Sequence, residues 1–243
     1  MKRKGILLAA GSGTRMGELT AKQSKQLLPV GGVPMVLYPL RTLRCAGIEE
    51  VLVICRAEEK EEFGRICQTD CAVQSTPAGI AEGLLIAEEW LDGAPSVLGL
   101  GDNLLHGPRL TEQLTAASRD LDGATVFAYP VENPGEYGVV ELGQDGHPIS
   151  LAEKPASPRS KLAVPGIYFY DQSAPQLCAH LKPSGRGELE ITDLNRLYLE
   201  QGKLKVVMLD RGTTWIDIGT PKALARANSF VRESGCAPAA IDC

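Results

Sequence analysis

The chain has 243 residues, of which 44% are apolar and 23% charged, and its formal net charge is −5. That length suits one large α/β domain and is ample for a buried core. A mildly acidic chain without a basic block excludes nucleic-acid or membrane-surface binding by overall field, so an anionic ligand must be held by a few placed cations.

The first apolar run, KGILLAA at 4–10, reads as a buried parallel strand ended by Gly11. It is too short for a secretory leader or a membrane span. A helix is expected over 34–46, with Pro34 in its first turn, Gly47 as its stop and a kink at Pro39. Residues 51–55 predict a strand, 57–66 a charged amphipathic helix, 71–74 a short strand and 79–91 a helix. The strand over 96–100 ends at Gly101-Asp102. This alternation predicts an α/β fold, doubly wound and mostly parallel in its first half.

Past residue 123, short strand patterns separated by turn signals predict a small antiparallel excursion. Helices are expected at 172–181 and 188–201, and strands at 204–209 and up to Asp217. A last helix opens at Thr220-Pro221. The reading is one domain over 1–234, divisible near residue 122, with a loose tail at 235–243. Seven Cys form no C-x-x-C pair and three His share no ligand spacing, so free thiols, no zinc and a cytoplasmic location are expected.

Gly11-Ser12-Gly13-Thr14-Arg15 follows the first strand, where glycines let backbone N–H groups approach an anion. The spacing Gly11, Gly13, Gly17 fails the dinucleotide fingerprint, and Gly17 is followed by Glu18, which fails the Walker loop. Arg15 and Lys25 on one glycine-rich excursion suit a triphosphate. Asp102 follows an apolar strand and Asp217 an expected strand, where open α/β sheets bind ligands, and together they could share one Mg²⁺. Taken singly, each reads first as a cap, Asp102 of a turn and Asp217 of the last helix. Lys154 in Glu153-Lys154-Pro155 and Arg186 before Gly187-Glu188 are candidates for a second phosphate. Tyr137 and Trp215 are core residues or ligand platforms.

The segments GILLAAGSGTRM, SKQLLPVGGVPM, LGLGDN, EYGVVE, EKPASPRSKLAVPGIYFYD, GRGELEITDLNRLYLEQG and TTWIDIGT resemble the glucose-1-phosphate thymidylyltransferases. The resemblance runs in order from about residue 4 to residue 228 and is to a short form of that family. It implies a Rossmann-like core with helices on both faces, a nucleotide-binding half over 1–122 and a sugar-binding half over 123–220. It also implies Mg²⁺, a nucleoside triphosphate, a sugar 1-phosphate and release of pyrophosphate.

Carried over by residue, Ala10, Gly11, Gly13, Thr14, Arg15, Lys25 and Gln26 would meet the nucleotide, with Gln74 and the Gly79 backbone reading the base. Tyr137, Gly138, Glu153, Val164 and Trp215 would line the sugar, and Lys154 and Arg186 would meet its phosphate. Asp102 and Asp217 would bind the metal. Arg15, Lys25, Lys154 and Arg186 are then the catalytic cations. A homo-oligomer with neither a nucleic-acid nor a membrane partner is expected. The expected substrates are dTTP and glucose 1-phosphate; the competing expectations are the same reaction with GTP, CTP or UTP or another sugar 1-phosphate, and a non-catalytic nucleotide-sugar sensor on the same fold.

Overall fold

The first strand, β1 (Lys4–Leu8), is covered on both faces, as a parallel strand between helical layers requires. Ile6 points into one hydrophobic cluster and Leu7 into the other. Ala9 and Ala10 lie beyond the strand, both buried. The computed structural model describes residues 2–11, 13–21, 23–76 and 78–238. Ser12 of the glycine loop and residues 239–243 of the expected tail lie outside them.

A hairpin pairs β2 (Pro29–Val30) with β3 (Val33–Pro34), and helix α1 then runs Leu37–Cys45. Pro34 therefore ends the hairpin and does not start the helix. Pro39 falls in the first turn of α1, where an N–H has no intrahelical partner, so the expected kink loses its cause. Strand β4 (Val51–Cys55), helix α2 (Lys60–Cys67) and strand β5 (Asp70–Val73) follow as the pattern predicts. The helix expected over 79–91 is instead two short pieces, α3 (Glu82–Ile86) and α4 (Glu88–Leu91). It starts late because Gly79 adopts φ +108° in a loop tied to a distant segment.

Strands β6 (Ser96–Leu100) and β7 (Asn103–His106) precede helix α5 (Leu110–Arg119). The second half supplies β8 (Ala124–Pro130), β9 (Gly138–Leu142), β10 (Pro148–Glu153), β11 (Leu162–Ala163) and β12 (Ile167–Tyr170). Helices α6 (Ala174–Cys178) and α7 (Ile191–Glu200), strands β13 (Leu204–Met208) and β14 (Thr214–Asp217), and helix α8 (Pro221–Ser234) complete it.

The main sheet has the order β10-β9-β11-β8-β12-β6-β1-β4-β5, with β13 paired to β8. The ladders among β6, β1, β4 and β5 are parallel, and β12 joins β6 antiparallel. The antiparallel excursion is β9, β10 and β11. Helices α3, α6 and α7 cover one face with Leu84, Cys178 and Leu194, while α1, α2 and α5 cover the other with Leu43, Phe63 and Leu114. Beyond α8, Gly235 closes the helix at φ +66°, Cys236 is buried, and its carbonyl accepts from Arg41 Nη1 at 3.2 Å. The described cysteines are free thiols, and no described helix is long and apolar enough to cross a membrane.

The Gly79 loop is clamped across the chain. Leu189 N–H donates to Ala78 O at 2.7 Å, and Ala81 N–H donates to Leu189 O at 3.1 Å. A Cβ on Gly79 would stand 2.4 Å from Leu189 O. Gly79→Ala thus meets both a positive φ and a backbone clash, and is expected to cost at least about 2 kcal/mol of stability. Urea unfolding reads this directly; an unchanged midpoint would contradict the clamp.

Candidate active site at the strand carboxyl ends

Strands β1 and β6 end at Leu8 and Leu100, and both residues line a cavity of about 310 Å³. Of the expected nucleotide residues, Gly11, Arg15, Lys25 and Gln26 line it. Both expected metal carboxylates, Asp102 and Asp217, line it, as do Tyr137, Gly138, Glu153, Lys154, Val164 and Trp215. Ala10, Gly13, Thr14, Gln74, Gly79 and Arg186 stand outside its wall. A second cavity, of about 590 Å³, adjoins it through Arg15, Tyr137, Trp215 and Asp217.

The two carboxylates meet because β7 and β14 pair antiparallel, with Asn103 opposite Asp217. Ile218 N–H donates to Asp102 O at 2.9 Å and fixes the corner. Lys25 Nζ donates to Asp102 Oδ2, and Asn103 Nδ2 to Asp102 Oδ1 at 3.0 Å. Burial pushes the Asp102 carboxyl up, but Lys25 and Asn103 more than offset it and hold it below its ordinary value. Asp217 is pushed up to about 6, by burial first and by the Asp102 charge second, against the pull of Lys25, Arg15 and Lys154. Two carboxylates crowded together in this way are short of positive charge.

Asn103 was not among the expected site residues, yet it organises the centre. Its Oδ1 accepts from Trp215 Nε1 at 2.6 Å and from Gly166 N–H at 3.1 Å, while its amide holds Asp102. Trp215 is thereby tied to the carboxylate corner, with its ring 5.0 Å from that of Tyr137. The signal available in the sequence was only its place next to Asp102.

The glycine excursion is more ordered than its composition suggests. Gly13 sits at φ +63°, and 3-10 turns span Thr14–Thr20. Thr20 Oγ1 ties them back to the carbonyls of Gly13 and Gly17, each at 3.1 Å. The Arg15 guanidinium lies against Gly219, where a Cβ would be 2.8 Å from Nη2. Buried Glu59 accepts from Ser24 N–H at 2.5 Å and from Ser24 Oγ, and is paired with Arg56 at 2.7 Å. Glu59 therefore fixes the residue before Lys25, and nothing in its charged sequence context signalled that.

On the far side, Thr192 Oγ1 donates to Glu153 Oε2 at 2.6 Å. Lys154 adopts φ +41°, uncommon for a residue with a side chain, and its N–H donates to Tyr137 O at 2.9 Å. Arg186 is at the rim and forks onto Glu190 at 2.8 and 2.9 Å, with Glu188 at 3.4 Å and Glu153 at 3.5 Å. Gln26 is 2% exposed and its Oε1 has no partner, an orphaned acceptor in the cavity wall. The whole arrangement puts paired carboxylates between cations, a site for anionic oxygen ligands and a hard cation.

The comparisons with known proteins agree. The family model described as nucleotidyl transferase matches residues 4–234. A glucose-1-phosphate thymidylyltransferase of Neisseria meningitidis is 47% identical over 94% of this chain and 82% of its own length. One of Mycolicibacterium smegmatis is 45% identical over the same shares. A solved Bacillus anthracis structure, named for the same activity and in complex with sucrose, superposes at TM-score 0.87 with 33% identity, covering 95% of this chain and 96% of that one. A UDP-glucose pyrophosphorylase complexed with UDP-glucose shares the fold at TM-score 0.82 and 21% identity, over 96% of this chain and 100% of that one. With its whole sheet and both carboxylates inside the matched span, the chain belongs to the nucleotidyl transferase family, among the glucose-1-phosphate thymidylyltransferases.

Proposed function

We propose that the chain transfers a thymidylyl group from dTTP to glucose 1-phosphate and releases pyrophosphate. The observation that carries this reading is Asp102 beside Asp217 in a cavity also lined by Arg15, Lys25 and Lys154. The names of the relatives support the two substrates.

A sugar 1-phosphate oxygen attacks the α-phosphorus as the bond to the pyrophosphate oxygen breaks and carries its electron pair away. The attacking monoester is already anionic, so no side chain need take a proton. Catalysis is then positioning and charge neutralisation. Arg15 and Lys25 neutralise the leaving pyrophosphate, beside the backbone of Ala10, Gly11, Gly13 and Thr14. Lys154 and Arg186 draw the sugar phosphate in, and Arg186 exchanges a carboxylate of Glu190 for phosphate oxygens. Gln26 Oε1 accepts from the nucleotide, Gln74 and Gly79 read the base, and Tyr137, Gly138, Glu153, Val164 and Trp215 enclose the sugar.

Asp102 and Asp217 fit Mg²⁺, being an oxygen-only donor pair to which phosphate oxygens and water add. The ion, when bound, polarises the phosphate oxygens. Free thiols suit a reducing, cytoplasmic setting.

The test is a matrix of common triphosphates against several sugar 1-phosphates, read as pyrophosphate release. dTTP with glucose 1-phosphate is expected to give the highest kcat/KM. Activity confined to GTP or to a larger sugar would sink the named substrates and leave the reaction; no pyrophosphate anywhere in the matrix would sink the reaction.

A further inference from the structure

The two cavities adjoin at a wall made of Arg15, Glu136, Tyr137, Trp215 and Asp217. Beyond that wall, helix α8 lines the larger cavity, of about 590 Å³, with Lys222 and Arg226. Four residues apart, these two share one helix face. Neither lines the catalytic cavity. Lys222 stands in the first turn of α8, after the Thr220 cap and Pro221. A cation there opposes the helix dipole, so the helix itself gains nothing from it.

Among the described residues, the side chains of Arg15, Lys222 and Arg226 make no hydrogen bond or ion pair. Tyr137, in the shared wall, feels two of them. Burial first, then the Asp217 and Glu136 charges, push its hydroxyl up, while Arg15 and Arg226 pull it back. Positive charge thus continues from the catalytic side of the wall to its far side. Glu132 and Glu136 also line the larger cavity, and their carboxylates are equally unpaired.

Opposite charges that stand apart around one concavity suit a ligand that carries both signs. A polyphosphate in complex with Mg²⁺ is such a ligand. Its oxygens meet the cations, and the ion keeps several waters, which donate to carboxylates. In the transfer reaction, pyrophosphate is released beside Arg15 and must then leave.

We propose that Lys222 and Arg226 form a holding site for departing magnesium pyrophosphate, which reaches them from Arg15 across the shared wall. This rests on the nucleotidyl-transfer reading above and adds a second site outside the cavity where transfer occurs. In the reverse direction the same site collects pyrophosphate and delivers it to Arg15.

The experiment measures the calorimetric Kd for magnesium pyrophosphate in wild type, Lys222→Ala, Arg226→Ala, the double variant, Arg226→Lys and Arg232→Ala. It also measures KM for pyrophosphate in the reverse reaction with dTDP-glucose, and KM for dTTP and glucose 1-phosphate in the forward one. Alanine suits a helix at both positions, so folding is expected to hold. Each alanine variant is expected to raise the pyrophosphate Kd and KM about ten-fold, the loss of one charge-assisted contact. Arg226→Lys should recover part of that loss. Arg232 lies on the same helix outside both cavities, and its removal should leave the pyrophosphate Kd unchanged. KM for glucose 1-phosphate should stay constant throughout.

An unchanged pyrophosphate Kd in the folded double variant overturns the proposal. So does an equal loss in Arg232→Ala, which would show a general effect of net charge. A KM for dTTP that rises in step with that for pyrophosphate also overturns it, since the two residues would then be contacts of the bound triphosphate. A wild type that releases no pyrophosphate from any substrate pair sinks the transfer reading separately, and the calorimetric comparison still decides the holding site.

Discussion

Asp102→Asn is expected to lower kcat/KM by about 10³ while the protein keeps its fold, the upper end of what losing one electrostatic group costs. The side chain keeps its size, and the corner is held by the Ile218 N–H bond to the Asp102 carbonyl, which the change does not touch. What goes is the negative charge. Lys25 loses its carboxylate partner, and the two-carboxylate donor set becomes a single acid and a neutral amide. Folding should tolerate this, because Asp102 and Asp217 repel one another in the resting site. Single-turnover rates with saturating Mg²⁺ and a thermal melt separate the two effects. Turnover at the wild-type rate would mean that the metal assignment is wrong.

Gly219→Ala is the second, expected to cost about 10² in rate with almost no loss of stability. The added Cβ would lie 2.8 Å from Arg15 Nη2 and 3.2 Å from Cζ. The obstacle is the far end of a flexible side chain, so the chain yields at little folding cost. The guanidinium, however, has to leave the position from which it is proposed to neutralise pyrophosphate, and a displacement of about 1 Å at a positioned group can cost about 10². Arg15→Ala should be slower still, and Gly219→Ala in the Arg15→Ala background should add nothing. Additive losses in that double-mutant cycle would place Gly219 in another role.

The parallel half of the fold was legible because its strands are continuous apolar runs closed by glycines or charges, as at 4–10, 51–55 and 96–100. Asp102 was legible for a related reason: it follows such a run, and open sheets place ligands there, whereas Asp217 ends β14, which pairs with β7 outside the main sheet. Asn103 and Glu59 were not legible. Each bonds to a partner remote in the chain, namely Trp215 and Ser24, and local pattern carries no trace of such pairings. The break near Ala87 was hidden too, since both short helices share one apolar face in the sequence. Pro39 shows the converse error, in which a three-residue misplacement of a helix start turns a harmless first-turn proline into an apparent defect.

The backbone bridge between Ala78, Ala81 and Leu189 bears on how such a molecule can be rebuilt. The segment proposed to read the base and the segment that carries Arg186 share main-chain bonds, so neither is an independent module. A chimera that imports one loop from a relative with different donor taste should import 184–190 with it. Transplanting 75–82 alone would leave the Leu189 amide facing a foreign carbonyl, and the recipient would lose grip on the sugar phosphate while gaining no new base.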